Sequence, residues 1–256
     1  MKIGFIGTGY IAKSVITGIL GSKLKINKIF ISQRNKKISN FLSKKSRKIV
    51  IINNNQEIIN RSNWVFLSVT PKVGNNILKC LNFKSNQTIV SFISTIKMYQ
   101  LKKYIKVKAK IVRAIPLPPI SLRKGPVPIF PPNKNVKRFF NQLGTTVEIE
   151  NEKLSKNFWA TSGMYASFYE LLSTMSNWLV KRGIKRDKAQ KYITSLFVAL
   201  SENAIVNSKK DLKHLVKDSQ TPRGLNEQGV KELRKAGFYR STEKTLNSIL
   251  KRLNKV

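Results

Sequence analysis

Short apolar runs recur through the first half of the chain, each too brief for a helix and most closed by Gly, Asn, Pro or Ser. Lys2–Ile6, Lys28–Ser32, Ile49–Ile52, Trp64–Val69, Thr88–Ile93 and Lys110–Ile115 read as strands buried on both faces. Between them Ala12–Leu20, Gln56–Arg61, Gly74–Leu81 and Met98–Tyr104 have helical character. Strands alternating with helices predict an α/β fold with a Rossmann-type, doubly wound parallel sheet. In such a sheet ligands gather at the carboxyl ends of the strands. Those ends are Gly7–Ala12, Ser32–Asn35, Ser68–Lys72, Ser94–Ile96 and Ile115–Pro119.

Seven prolines between Pro116 and Pro132 predict a stiff, extended passage, with Val127–Phe130 as an edge strand. Val147–Ile149 is one more short strand. From Glu152 on the strand pattern stops. Leu154–Arg182 is long, apolar-periodic and free of proline, and Lys185–Asn207, Asp211–Lys217, Leu225–Lys235 and Ser241–Asn254 continue in the same way. The expected organisation is an NADP-binding domain over residues 1–151 and an all-helical dimerisation and substrate domain over residues 152–256. Trp159, Phe168, Trp178 and Phe197 place apolar surface on more than one face of the helices. A small helical domain of that kind needs a partner, which predicts a homodimer or higher homo-oligomer.

The first strand runs into Gly7-Thr8-Gly9-Tyr10-Ile11-Ala12, which fits the pattern G-x-G-x-x-G/A. Gly7 permits the tight turn, Gly9 lets a pyrophosphate approach the backbone, and Ala12 keeps the next helix close to the sheet. That helix would aim free N–H groups at the phosphates. The same letters occur in glycine turns that bind nothing; here the preceding strand and the following helix supply the context of a dinucleotide site. At the end of the second strand, an acid that would hold a ribose 2′-hydroxyl is replaced by Ser32-Gln33-Arg34-Asn35. Ser32 and Arg34 suit a 2′-phosphate, so NADP(H) is expected in preference to NAD(H).

Composition narrows the chemistry. The chain has 256 residues and a formal net charge of +37, from 49 Lys and Arg against 12 Asp and Glu. The cations are spread along its whole length, alongside abundant Asn and Ile, with no basic tail or helix, so no specific nucleic-acid partner is expected. A single cysteine, Cys80, suits a reducing compartment, and a single histidine, His214, leaves no basis for a zinc site or a histidine triad. No metal is expected, and His214 reads as structural. No run approaches the roughly 20 apolar residues of a membrane span, and the N-terminus enters a strand directly, so a cytoplasmic protein without a membrane partner is expected.

With these blocks in order, the chain resembles the pyrroline-5-carboxylate reductase family along nearly its full length. The resemblance rests on Ile3–Ala12, on Asn55-Gln56-Glu57 at the family's N-x-E, and on Val65–Pro71 at its V-F-L-A-V-K-P, with Thr70 in place of lysine. It continues in Val90–Ile96, in Arg113-Ala-Ile-Pro116 at its R-x-M-P, in Thr221–Asn226 at its S-P-G-G-x-T, and in Gly237-Phe238. The family implies hydride transfer from NAD(P)H to a cyclic imine. It adds Tyr10, Ile11, Asn55, Val69, Thr70 and Pro71 to the cofactor contacts. Its substrate segment falls at Thr221–Asn226, where the Pro222–Gly224 turn, with Thr221 and Gly224, would offer groups to a substrate carboxylate, and its threonine that bonds the imine nitrogen falls at Asn226, which can donate there. Two candidates come from this sequence itself: Arg223 adds charge beside the carboxylate, and the adjacent Glu227, one of only 12 acids, is a proton source or a partner to a cationic imine. The chain also departs from the family. Leu117-Pro118 replaces N-T, Arg223 replaces a glycine, Asn226 replaces a threonine, and the long helix lacks G-P-A-Y. The cofactor half is therefore the better kept. Besides a cyclic-imine reductase, an oxidoreductase of another imine or carbonyl compound and a non-catalytic NADP-binding homologue remain open.

Overall fold

Strand β1 (Lys2–Ile6) lies inside an eight-stranded sheet, with β2 (Lys28–Ser32) on one side and β4 (Trp64–Leu67) on the other. Outside β2 lies β3 (Ile49–Ile52). Beyond β4 follow β5 (Thr88–Ser91), β6 (Lys110–Ala114), β7 (Pro126–Phe130) and β8 (Thr145–Glu148). The order is thus β3-β2-β1-β4-β5-β6-β7-β8, parallel throughout except between β6 and β7. Chain order reverses direction at β1, which makes the end of β1 the switch point of the sheet. The computed structural model describes residues 1–255 and divides into two units, Met1–Ser155 and a second beginning at Lys156. The domain expected over 152–256 ends on a residue outside the described ones.

In the first unit, alternate residues of each strand feed opposite faces of the sheet. Ile3, Phe5, Phe66, Val90 and Val112 meet Val15, Ile16 and Ile19 of helix α1 (Tyr10–Leu20) on one face. Ile6, Val65, Leu67 and Ile89 meet the buried residues of α3 (Asn55–Arg61), α4 (Pro71–Leu78) and α5 (Met98–Ile105) on the other. The rings of Phe5 and Phe66 stack with centroids 4.6 Å apart.

Several elements differ from expectation. Helix α2 (Lys36–Ser43) and helix α6 (Lys134–Phe140) were not read from the sequence. Their hydrophobic residues are few, and their starts are set by Asn35 and Asn133, whose side chains accept backbone N–H groups of the first turn. Helix α4 begins at Pro71, three residues before the expected Gly74, since proline fits the first helical position. Strand β7 is an interior strand, not an edge. It pairs with β6 only through Arg113↔Phe130 and Ala114↔Ile129, and the Pro128 carbonyl accepts from the Ile115 N–H at 3.2 Å. Proline lacks a donor but keeps its acceptor, so it is tolerated there.

The second unit is helical: α7 (Ser155–Ser162), α8 (Tyr165–Val180), α9 (Arg186–Val206), α10 (Lys213–Asp218), α11 (Leu225–Lys235) and α12 (Phe238–Asn254). Its first helix starts at Ser155, the last residue of the first unit. The single helix expected over Leu154–Arg182 is broken at Gly163. A Cβ on Gly163 would lie 3.0 Å from the Ala160 carbonyl oxygen and 3.1 Å from the Ile249 side chain of α12, tighter than ordinary contact. Among the described residues of this unit, the buried hydrophobics are Ala160, Ala189 and Ile193. Trp178, Leu200, Ile205 and Val206 are more than half exposed.

Candidate functional site

The β1–α1 turn is fixed from both sides. Gly7 has φ +93°, and a Cβ there would lie 2.5 Å from the Ser68 carbonyl oxygen, so only glycine fits. From β2, Ser32 holds the turn. Its Oγ accepts the Gly7 N–H at 3.0 Å, and Thr8 Oγ1 donates to the Ser32 carbonyl at 2.7 Å and lies 3.1 Å from Ser32 Oγ. Ser32 is buried. The expectation that its hydroxyl binds a 2′-phosphate is therefore corrected: the group is engaged in shaping the turn.

Gly9 has a different reason to be glycine. Its φ of −90° and ψ of −168° suit any residue, and an added Cβ would meet nothing within 4 Å. Neither backbone nor neighbours demand it, and the space that it leaves open belongs to the cleft. Helix α1 starts there without a side-chain cap and without an acid in its first turn, and its first backbone bond is Lys13 N–H to the Gly9 carbonyl at 2.9 Å. The first N–H groups of the helix thus have no intrahelical acceptor.

Two adjoining cavities extend from this turn. One, of about 540 Å³, is lined by Gly7, Thr8, Gly9, Arg34, Asn35, Lys36, Ser68, Val69 and Thr70. The other, of about 290 Å³, is lined by Gly7, Ser32, Gln33, Arg34, Lys36, Asn53, Asn55, Val69 and Ile77. No acid occurs in either lining. The structure thus gathers Gly7, Thr8, Gly9, Ser32, Arg34, Asn55, Val69 and Thr70 around one cleft. Of the other expected cofactor residues, Tyr10 is 79 % exposed at the start of α1, Ile11 packs partly against the core, Ala12 is buried, and Pro71 opens α4 without lining either cavity. Asn35, Lys36, Asn53 and Ser68 are additions. Open space at Gly9, uncapped helical N–H groups and a lining whose charged side chains, Arg34 and Lys36, are both cationic fit a dinucleotide with phosphates.

At the carboxyl ends of β5 and β6, Arg113 is 3 % exposed. Its guanidinium donates to the Ser94 carbonyl at 2.6 Å and is ion-paired with Glu152, which also accepts the Met98 N–H at 2.7 Å. Burial pulls the Arg113 pKa down, and the Glu152 charge opposes the shift. The cluster ties the start of α5 and two strand ends together, a role that the R-x-M-P resemblance alone did not suggest.

In the second unit, the turn before α11 holds the expected substrate residues. Arg223, at a family glycine, has φ +60°. Its N–H donates to Glu227 Oε2 at 2.7 Å, and Lys231 Nζ lies 2.8 Å from Glu227 Oε1. Lys231, and then the Arg223 N–H, hold the Glu227 carboxyl below its usual range. Such pairing favours the ionised carboxylate, the form that the charge-partner role requires. Asn226 Nδ2 donates to the Ser219 carbonyl at 2.9 Å, which leaves one amide hydrogen. A groove of about 450 Å³ brings Thr221 and Glu227 together with Lys213, Lys217 and Arg234, whereas Arg223, Gly224 and Asn226 do not line it. His214 Nδ1 faces the Asp211 carbonyl of its own turn. Among the described residues no group of three or more His, Cys, Asp or Glu could hold a metal ion, and no helix is long and apolar enough to cross a membrane.

Comparison with known proteins divides the chain in the same direction. A family model described as NADP oxidoreductase coenzyme F420-dependent matches residues 2–95, and one described as pyrroline-5-carboxylate reductase dimerisation matches residues 152–256. A pyrroline-5-carboxylate reductase of Pseudomonas aeruginosa is 25% identical over 98% of this chain and 95% of its own length. Among solved structures, the 1-pyrroline-5-carboxylate reductase of Streptococcus pyogenes superposes with a TM-score of 0.82 at 22% identity, covering 100% of this chain and 99% of the other. The Plasmodium falciparum pyrroline carboxylate reductase with NADP bound does so with a TM-score of 0.81 at 20% identity, over 99% and 97%.

Proposed function

Since the chain belongs to the pyrroline-5-carboxylate reductase family as a diverged member, we propose that it is an NADPH-dependent reductase of a cyclic imine. It is an NAD(P)-dependent oxidoreductase that acts on a CH–NH or C=N group. The observation that supports the cofactor half most is Gly9, whose missing side chain leaves open space at the switch point of the sheet. The turn Gly7–Gly9 and the first N–H groups of α1 would hold the pyrophosphate. Asn55, Val69 and Thr70 would line the adjoining walls, and Arg34 would face the 2′-phosphate.

When bound, the reduced nicotinamide supplies the hydride. The chain then has to orient the imine and meet the charge on its nitrogen. Asn226 keeps one amide hydrogen for that nitrogen, and the Glu227 carboxylate partners a cationic imine. Thr221 and the Arg223–Gly224 turn would receive a substrate carboxylate. The dimerisation model over residues 152–256 and the exposed apolar side chains of that half support a homo-oligomer.

The test is NADPH oxidation by the purified protein across a panel of cyclic imines, with pyrroline-5-carboxylate among them. Steady turnover with one of them supports the proposal. NADPH binding without turnover on any imine or carbonyl would overturn the catalytic part and favour a non-catalytic NADP-binding homologue. That second reading draws on Leu117-Pro118, which carry no side-chain donor, and on the Asn226 amide already bonded to Ser219.

A further inference from the structure

The loop between β5 and α5, Ser94–Lys97, is held at both ends by one buried ion pair. The Arg113 guanidinium, buried at the end of β6, donates to the Ser94 carbonyl at 2.6 Å and is paired with Glu152. The Glu152 carboxylate accepts the Met98 N–H at 2.7 Å. The arginine thus fixes the entry of the loop, and the carboxylate that it holds fixes the exit. All of these groups belong to the first unit.

The loop adjoins the cleft. A Cβ on Gly74 of α4 would lie 2.9 Å from the Ile93 side chain, 3.2 Å from Ile96 and 3.5 Å from Val69. Ile93 and Ile96 therefore pack beside Val69, which lines both cavities. In a doubly wound sheet the adenine ribose is read at the end of β2 and the pyrophosphate at the end of β1. The other half of a dinucleotide then extends to the opposite side of the switch point, over the ends of β4 and β5. Thr95, exposed within the loop, lies on that side.

Burying two charges is costly, and apolar residues in their place are often no less stable. What apolar side chains do not supply is direction. The planar fork of an arginine meets a carbonyl and a carboxylate at fixed angles. The geometry of the loop accounts for a buried pair that stability alone does not require.

We infer that Arg113 and Glu152 are positioning residues for hydride transfer, which hold the Ser94–Lys97 loop as the wall on which the nicotinamide ring rests. The inference rests on the reductase reading of the cleft, and the pair acts through the loop.

The full-length protein is titrated by calorimetry with NADPH and with 2′-phosphoadenosine 5′-diphosphoribose, the coenzyme without its nicotinamide ring. In parallel, kcat is measured on the imine that wild type reduces. Arg113→Met combined with Glu152→Gln removes both charges, keeps an acceptor for the Met98 N–H and releases the Ser94 carbonyl. This double variant is expected to lower kcat about tenfold or more. It is expected to weaken NADPH about tenfold, while the ringless ligand changes less than about twofold. Arg113→Lys keeps the buried charge and gives up the fork. It is expected to show the same split to a smaller degree, and it decides the matter if the double variant does not fold. A pair with a purely structural role would lower the melting midpoint and weaken both ligands alike, and that result would overturn the inference. So would kcat and NADPH affinity within about twofold of wild type in a folded variant. If wild type bound neither ligand, the cofactor reading would fall and this inference with it. If wild type bound NADPH but reduced no imine, the reductase reading would fall, and the difference between the two ligands would still decide whether the pair holds the wall for the ring.

Discussion

The two glycines of the first turn are glycine for different reasons, and substituting each separates folding from binding. At Gly7 an alanine Cβ would sit 2.5 Å from the Ser68 carbonyl oxygen at a φ of +93°. Left-handed backbone alone costs about 1–2 kcal/mol for a residue with a Cβ, and the clash adds to it. At Gly9 an alanine Cβ would meet nothing within 4 Å, on backbone that any residue adopts. Gly9→Ala is therefore expected to leave stability unchanged or to raise it by about 0.4–1 kcal/mol through the unfolded chain. On the proposed function, the same methyl would occupy space that the pyrophosphate needs. Gly9→Asp adds a charge there: a carboxylate about 4 Å from a phosphate, at an effective dielectric of about 20, is repelled by about 4 kcal/mol, close to a thousandfold in affinity. Thermal melts without ligand and NADPH titrations of the three variants are the assay. The expected pattern is a lowered midpoint for Gly7→Ala, and an unlowered midpoint with lost NADPH affinity for the Gly9 variants. Normal NADPH affinity in Gly9→Asp would refute the phosphate assignment, and a lowered midpoint in Gly9→Ala would refute the claim of open space.

Other consequences can be measured directly. Asn226→Ala is expected to lower kcat by at least tenfold, with NADPH affinity within about twofold of wild type; an unchanged kcat would remove Asn226 from the reacting centre. Arg223→Gly relieves a residue at φ +60° and is expected to raise stability by about 1 kcal/mol in urea melts; a loss of stability would show that the arginine side chain contributes more than its backbone strain removes. Glu227 has a lowered folded-state pKa, so its contribution is present above its unfolded value near 4.5 and fades as pH falls through the folded one. The stability gap between wild type and Glu227→Gln is then expected at neutral pH and should close in acid below that window; a gap that persists there would contradict the pairing with Lys231 and the Arg223 N–H.

Much of the fold was legible because the buried parallel strands are nearly continuous apolar runs, such as Ile49–Ile52. Helices α2 and α6 were not, since each is short, with three hydrophobic residues, and Asn35 and Asn133 announce their starts. Pro126 and Pro128 pointed to an edge, because a sequence shows the lost donor but not the partner strand for the carbonyl that remains. Gly163 was hidden inside an apolar-periodic stretch, and one of its close neighbours, Ile249, lies 86 positions away by the difference of residue numbers. At the site, the glycine spacing was readable from the letters alone. The engagement of Ser32 was not, since it depends on which way a hydroxyl faces once β1 and β2 are paired. Lys36 was invisible for another reason: among 49 cations, no single lysine stands out until a cavity is seen beside it.

The helical half, in which Ala160, Ala189 and Ile193 are the buried apolar residues among the described ones, has a bearing on how the protein behaves after synthesis. If the proposed homo-oligomer covers these faces, a segment with so little interior of its own draws cohesion from association, and dilution should then act as a denaturant. Melting midpoints are then expected to climb with protein concentration, by mass action. The cellular abundance of the chain would thus set how long a newly made copy survives before it finds its counterpart.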